Sequence, residues 1–127
     1  LRWSSNLITL EEEIRLISQW SSHTTIKEVD WTLSSLHTKN RFFWNAILPS
    51  HIESLELKGS IFRDYKITRM DEEAILEWIA SYPSIRFIRF RMNDTAFSDL
   101  FESNIKALLR RHASTDKGQL HVDVQME

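Results

Sequence analysis

The stretch Ile85-Arg86-Phe87-Ile88-Arg89-Phe90-Arg91-Met92-Asn93 sets its apolar residues and its closing Asn at the spacing L-x-x-L-x-L-x-x-N, and the spacing recurs along the chain. One copy joins a short strand, with Ile88, Phe90 and Met92 at every second position, to a polar side chain that satisfies the backbone where the strand ends. Ile26-x-x-Val29-x-Trp31-x-x-Ser34 and Ile52-x-x-Leu55-x-Leu57-x-x-Ser60 repeat it, and Leu1-x-Trp3-x-x-Asn6 is the same pattern joined at its fourth position. A fifth copy is degraded: Val122 and Val124 take the central positions, while Gln119 and Glu127 stand where an apolar residue and an Asn belong. It reads as a terminal, capping copy. A unit of this length cannot bury its apolar face alone, so neighbouring units must stack.

Between the strands lie helical patterns. Thr9-Leu10-Glu11-Glu12 has the form of a capping box, followed by the face Leu10, Ile14, Ile17 with Trp20 on its flank, ending near Ser21 to His23. In the second unit Asn40 offers a cap, and the pairs Phe43/Ile47 and Trp44/Leu48 predict a short helix stopped by Pro49. The third has a loop from Arg63 to Met70. Asp71, Glu72 and Glu73 then open a helix with Ile75, Ile79 and Tyr82 on one face, Leu76 and Trp78 flanking, and Pro83 as its end. The fourth runs from about Phe97 to Arg111, with Phe97, Phe101, Ile105 and Leu108 as its buried stripe.

Strand and helix alternating in this way imply parallel strands. In a doubly wound sheet both faces are covered and the strands read as unbroken apolar runs. Here the strands are half polar: Lys27, Glu28 and Asp30; Glu53, Ser54, Glu56 and Lys58; Arg86, Arg89 and Arg91. The pattern therefore implies one face open to solvent. An enzyme of doubly wound type is the residual alternative, with its crevice near Thr32, Lys58 and Arg91.

On these residues the chain resembles the leucine-rich repeat family over nearly all of its 127 residues. The resemblance implies an α/β fold: a short right-handed solenoid of four to five repeats, strands on the concave face and helices on the convex one. The whole is expected to be a single domain, residues 1–127, cut from a longer protein. Leu48-Pro49-Ser50-His51-Ile52 and Tyr82-Pro83-Ser84-Ile85 look like the segments that lead into strands in F-box leucine-rich proteins. That likeness implies the substrate-recognition region of a ubiquitin ligase, its adaptor bound through a segment outside this chain. An assembly or scaffold factor without ubiquitin, and an RNA-binding repeat domain, are the alternatives.

Composition narrows the rest. A formal charge of −2 gives no general attraction to nucleic acid or anionic membranes. With no Cys there is no disulfide and no thiolate chemistry, which fits an intracellular compartment. No apolar run approaches a membrane span. No Gly-rich phosphate loop, nucleophile elbow or metal spacing occurs, so neither catalysis nor a cofactor is expected. His23, His37, His51, His112 and His121 are read at loop or strand-edge positions without helical pairing.

The expected binding surface is the open strand face, where strands about 4.8 Å apart align equivalent residues in rows. One row reads Arg2, Asp30, Glu56, Arg89, Asp123, with opposite charges adjoining; the simplest reading is a ladder that neutralises itself. The next, Ser4, Thr32, Lys58, Arg91, Gln125, has no acid, so Lys58 and Arg91 are expected to hold an acidic or phosphorylated partner. Phe87, with Arg86 beside it and Ser54 and His121 in its row, has the composition of an interface hot spot. The expected protein-binding set is Thr32, Lys58, Arg86, Phe87, Arg89, Arg91 and His121. Nucleic acid is disfavoured, because Phe90 points inward and Asp30, Glu53 and Glu56 would repel phosphates.

Overall fold

A computed structural model describes residues 1–4, 10–32, 43–59, 67–92, 97–114 and 122–126. Five strands, β1 (Arg2–Ser4), β2 (Glu28–Thr32), β3 (Ser54–Gly59), β4 (Phe87–Met92) and β5 (Asp123–Met126), form one sheet in chain order. Every neighbouring pair is parallel. Helices α1 (Leu10–Ser18), α2 (Arg69–Ala80) and α3 (Asp99–Ser114) lie between strands, and a 3-10 turn, Phe43–Asn45, takes the helix position between β2 and β3.

The alternation forces this arrangement. In β2 and β3, buried residues alternate with half-exposed ones. Val29, Leu55, Ile88 and Val124 come into line, and Trp31, Leu57 and Phe90 form a second row inward of them. These pack with Ile17 of α1, Phe43, Ile75 and Ile79 of α2, and Phe101 and Ile105 of α3 in a single core cluster. The strands' other side chains lie opposite that core. Among the described residues the strand order follows the chain order without reversal.

The approach to each strand is repeated too. Ile26, Ile52 and Ile85 donate their backbone N–H to the carbonyls of His23, Pro49 and Tyr82, three residues earlier, at 3.3, 3.2 and 3.1 Å. The carbonyls of Lys27, Glu53 and Arg86 accept from the backbone N–H of Glu53, Arg86 and Asp123, at the entry to the neighbouring strand, at 2.7, 2.8 and 3.0 Å. Gly59 ends β3 at φ 141°, a conformation open to glycine at little cost.

Several expectations change. The fifth strand is registered two residues later than its Val122 alignment, since Ile88 pairs with Val124 and Phe90 with Met126. Two apolar residues spaced by two occur in either frame, and the alternation alone does not choose. The pairs Phe43/Ile47 and Trp44/Leu48 do not form an α-helix. Phe43 and Leu48 are buried, but Ile47 is 57% exposed, because the residue before Pro49 is barred from helical geometry and the chain turns early toward β3.

Helix α2 begins two residues before Asp71. Thr68 is its N-cap: its hydroxyl accepts from Asp71 N–H at 3.2 Å, and Asp71 Oδ2 accepts from Thr68 N–H at 3.0 Å. Asp71 is thereby buried as a capping partner. Ser98 caps α3 by accepting from Phe101 N–H at 3.1 Å, and that helix runs on to Ser114. Trp78, expected on a flank, is in the core. The expected caps Thr9 and Asn40, and the strand-ending Asn6, Ser34, Ser60 and Asn93, lie outside the described residues.

The short second unit is held by its neighbours. Ile47 N–H donates to Ser18 Oγ at 2.9 Å, Leu48 N–H to Tyr82 Oη at 2.8 Å, and Trp78 Nε1–H to the Ala46 carbonyl at 2.8 Å. Replacing Trp78 by Phe keeps most of the ring and leaves a buried carbonyl without its donor. We expect a loss of about 1–3 kcal/mol in urea denaturation. An unchanged midpoint would show that the Ala46 bond is dispensable.

Candidate interaction surface

The solvent-facing side of the sheet carries three rows. The first is Glu28, Ser54, Phe87 and Asp123; the second Arg2, Asp30, Glu56, Arg89 and Gln125; the third, beyond β1, Thr32, Lys58 and Arg91. The shifted β5 register removes Asp123 from the row of Arg89 and puts it beside Phe87, where His121 was expected. His121 itself lies outside the described residues.

Ion pairs cross the rows. Arg2 Nε lies 3.3 Å from Asp30 Oδ2, and Arg89 Nη1 lies 3.7 Å from Glu56 Oε1, as the row alignment predicts. The third row has no acid of its own, but its cations pair with acids of the second. Lys58 Nζ reaches Glu56 Oε1 at 3.6 Å and Asp30 Oδ1 at 3.8 Å, and Arg91 Nη1 reaches Glu56 Oε1 at 3.8 Å. Lys58 stands two residues from Glu56 on the same face and Arg91 diagonally across the strand gap, distances that long side chains bridge. Row-by-row reading of the sequence missed this convergence; diagonal neighbours would have revealed it. Arg89 donates through Nε to Gln125 Oε1 at 2.6 Å, and Gln125 Nε2 donates to Asp123 Oδ2 at 3.2 Å.

Thr32, Lys58, Phe87, Arg89 and Arg91 are thus gathered on one surface, all half-exposed. Arg86 is turned to other work. Its Nη1 donates to the carbonyls of Pro83 at 2.6 Å and Ile85 at 3.1 Å, and its Nη2 to His112 at 3.0 Å, so the guanidinium ties the approach to β4 to the last turn of α3. A cation at a helix C-terminus is favourably placed against the helix dipole. Phe90 is buried against Phe97 and Phe101 and offers no ring on which a base could stack.

On the helix side, Leu76, Ala80, Ala107 and Leu108 floor a shallow groove of about 290 Å³ between α2 and α3, with Glu77 and Arg111 among its rim residues. Met70 and Leu100, at matching positions in the first turns of α2 and α3, are 79% and 63% exposed. Both are single exposed side chains of a kind common on soluble proteins. Among the described residues no cluster of His, Cys, Asp or Glu suits a metal ion, and no helix is long and apolar enough to cross a membrane.

Comparison with family models, with curated proteins and with solved structures finds no match for this chain.

His112 is not at a strand edge. It lies buried in the last turn of α3, and its pKa is lowered from 6.5, chiefly by burial, with Arg86 and Arg111 adding repulsion and a hydrogen bond to the Ile85 backbone opposing. The folded chain therefore holds this imidazole neutral more firmly than the unfolded chain does. Its contribution to stability is complete above 6.5 and is lost as pH falls through the window between 6.5 and the lower folded value. Thermal melts between about pH 7.5 and pH 5 should show this fall, and His112→Gln should flatten it. Arg86→Ala should lower the melting temperature by several degrees, whereas Arg91→Ala should leave it nearly unchanged; the reverse order would return Arg86 to the interaction surface.

Proposed function

We propose that this chain is a protein-interaction module of the leucine-rich repeat type, engaging its partner across the open strand face. The observation that carries this reading is the one-sided core. Apolar rows and helices form one cluster, and on the opposite side Thr32, Lys58, Phe87, Arg89 and Arg91 lie together on neighbouring strands. Strand order that follows chain order, and an approach turn repeated at Ile26, Ile52 and Ile85, support stacking of equivalent units into a solenoid with concave strands. An array of that kind exposes an extended binding surface and needs no cofactor or catalytic centre for its work.

Within this reading the specific form is the substrate-recognition repeat region of an F-box-type ubiquitin ligase, acting inside the cell. Its adaptor is engaged through a segment outside this chain. The support is the likeness of the two proline-containing lead-ins, Leu48 to Ile52 and Tyr82 to Ile85, whose closing Ile residues each donate an N–H to the carbonyl three residues earlier. A non-ubiquitin scaffold would use the same surface. The two part on one measurement: co-purification of the full-length protein with a ligase adaptor favours the ligase, and partner binding without an adaptor favours the scaffold.

The surface itself is tested by affinity capture at moderate salt. The wild-type domain should retain a protein partner that Phe87→Ala loses, with the melting temperature of the variant close to that of wild type. If Phe87→Ala unfolds the domain instead, Phe87 serves the fold. Retention only of polyanions, collapsing as salt rises, would favour the RNA-binding alternative.

A further inference from the structure

We propose that the helix side of this chain docks on a second copy of itself, about a two-fold axis running along the α2/α3 groove that sets α2 of each protomer against α3 of the other. This surface lies opposite the strand face, and the inference does not depend on what that face binds.

Two exposed stripes border the groove. On α2, Met70, Glu73 and Glu77 recur at steps of three and four residues. On α3, Leu100, Asn104, Ala107 and Arg111 recur in the same way. The two helices run in the same direction, since each leads from one strand of a parallel pair to the next. Their first turns stand abreast, because Ser98, the cap of α3, bonds the Glu72 carboxylate of α2 at 2.9 and 2.8 Å.

The stripes carry opposite charge. The α2 stripe is acidic through Glu73 and Glu77, and the α3 stripe ends on Arg111. Glu73 is engaged by Arg69 at 3.4 Å, whereas Glu77 and Arg111 both line the groove without forming an ion pair among the described residues. A groove with an acid on one side and a base on the other is complementary to its own copy, provided the copies exchange sides. Rotation about an axis along the groove does this, and Glu77 of each protomer then faces Arg111 of its partner. Arg111 stands about one turn further along its helix than Glu77, and its long side chain tilts back toward the helix start to meet it. A two-fold axis across the groove would instead lay α2 on α2 and bring Glu77 beside Glu73, acid on acid, which repulsion opposes.

The same rotation accounts for Met70 and Leu100. Each is the second residue of its helix, and they are 79% and 63% exposed. Either alone is an ordinary surface side chain. Placed at equal height on paired helices, they come together when α2 and α3 change places, Met70 of one protomer on Leu100 of its partner, and the contact occurs twice. Between these apolar ends and the charged ends, the groove floor of Leu76 and Leu108 and the small Ala107 let the helices approach closely.

The test is sedimentation velocity of the purified chain over a concentration series. Wild type should show a monomer–dimer equilibrium that weakens as salt rises. Glu77→Arg and Arg111→Glu should each weaken the dimer about tenfold or more, because each dimer holds the contact twice. An equimolar mixture of the two variants should restore it, since the reversed side chains then face each other. The chain has no cysteine, so Met70→Cys and Leu100→Cys can be oxidised separately and together, and a disulfide-linked dimer should form faster in the mixture than in either variant alone. A wild type that stays monomeric at every concentration, a dimer indifferent to both charge reversals, or a mixture that stays monomeric would each overturn the proposal and leave the strand-face reading untouched. A dimer lost in Phe87→Ala but kept in Glu77→Arg would place self-association on the strand face and overturn it as well. Thermal melts check the fold of each variant; should Arg111→Glu melt early, Arg111→Gln takes its place, and a dimer of wild-type strength in that variant would overturn the proposal.

Discussion

Backbone pairing between consecutive parallel strands is the constraint on which this structure depends. At the entries of β3, β4 and β5 the backbone donates into the carbonyl that ends the preceding lead-in, at Lys27, Glu53 and Arg86, and this fixes the register of those strands. Because side chains alternate, a slip of one residue would turn Val29, Trp31, Leu55 and Leu57 to solvent and bury Asp30, Glu56 and Lys58. Burying those charges would be far costlier than exposing the apolar rows. The same register that makes the core therefore also makes the charged surface, and neither can be altered alone.

The helix layer is less regular than the sheet. Among the described residues between β2 and β3 stands a 3-10 turn, Phe43–Asn45, where the following connections hold a helix. The gap is filled by side chains from both sides: Ser18 from the unit before, Trp78 and Tyr82 from the unit after. Trp78 also packs edge-on to Phe43, with ring centroids 5.7 Å apart. Large aromatics that follow it in the chain, Trp78 and Tyr82, thus anchor this turn and its exit to the rest of the layer.

The sheet was largely legible in the sequence because parallel pairing obeys a period of two, and the apolar residues of β2, β3 and β4 keep that period. Phase failed where two frames were equally apolar, as in Val122, Val124 and Met126. The short second unit misled because spacing by four signals helical proximity but does not measure whether the chain has room for an α-turn before Pro49. Polar residues were the least legible. The position of Asp71 marks a dipole partner, yet its side chain also closes a capping box, and His112, just past the expected helix end at Arg111, is buried in the last turn of α3. Arg86 was read as outward because a position in a pattern gives the direction of a Cβ, and a long side chain can fold back to backbone carbonyls.

One contact between units bears on how such a protein can be divided. Ser98, the cap of α3, donates its N–H and its hydroxyl to the carboxylate of Glu72 in the first turn of α2, at 2.9 and 2.8 Å. The start of the last helix is therefore completed by the helix before it. Helices joined in this way are not independent parts: moving α3 without α2 would bring its cap without the acceptor that orients it. Order along the chain therefore matters here: α3 is finished by α2, and the smallest piece that keeps this cap intact contains both helices.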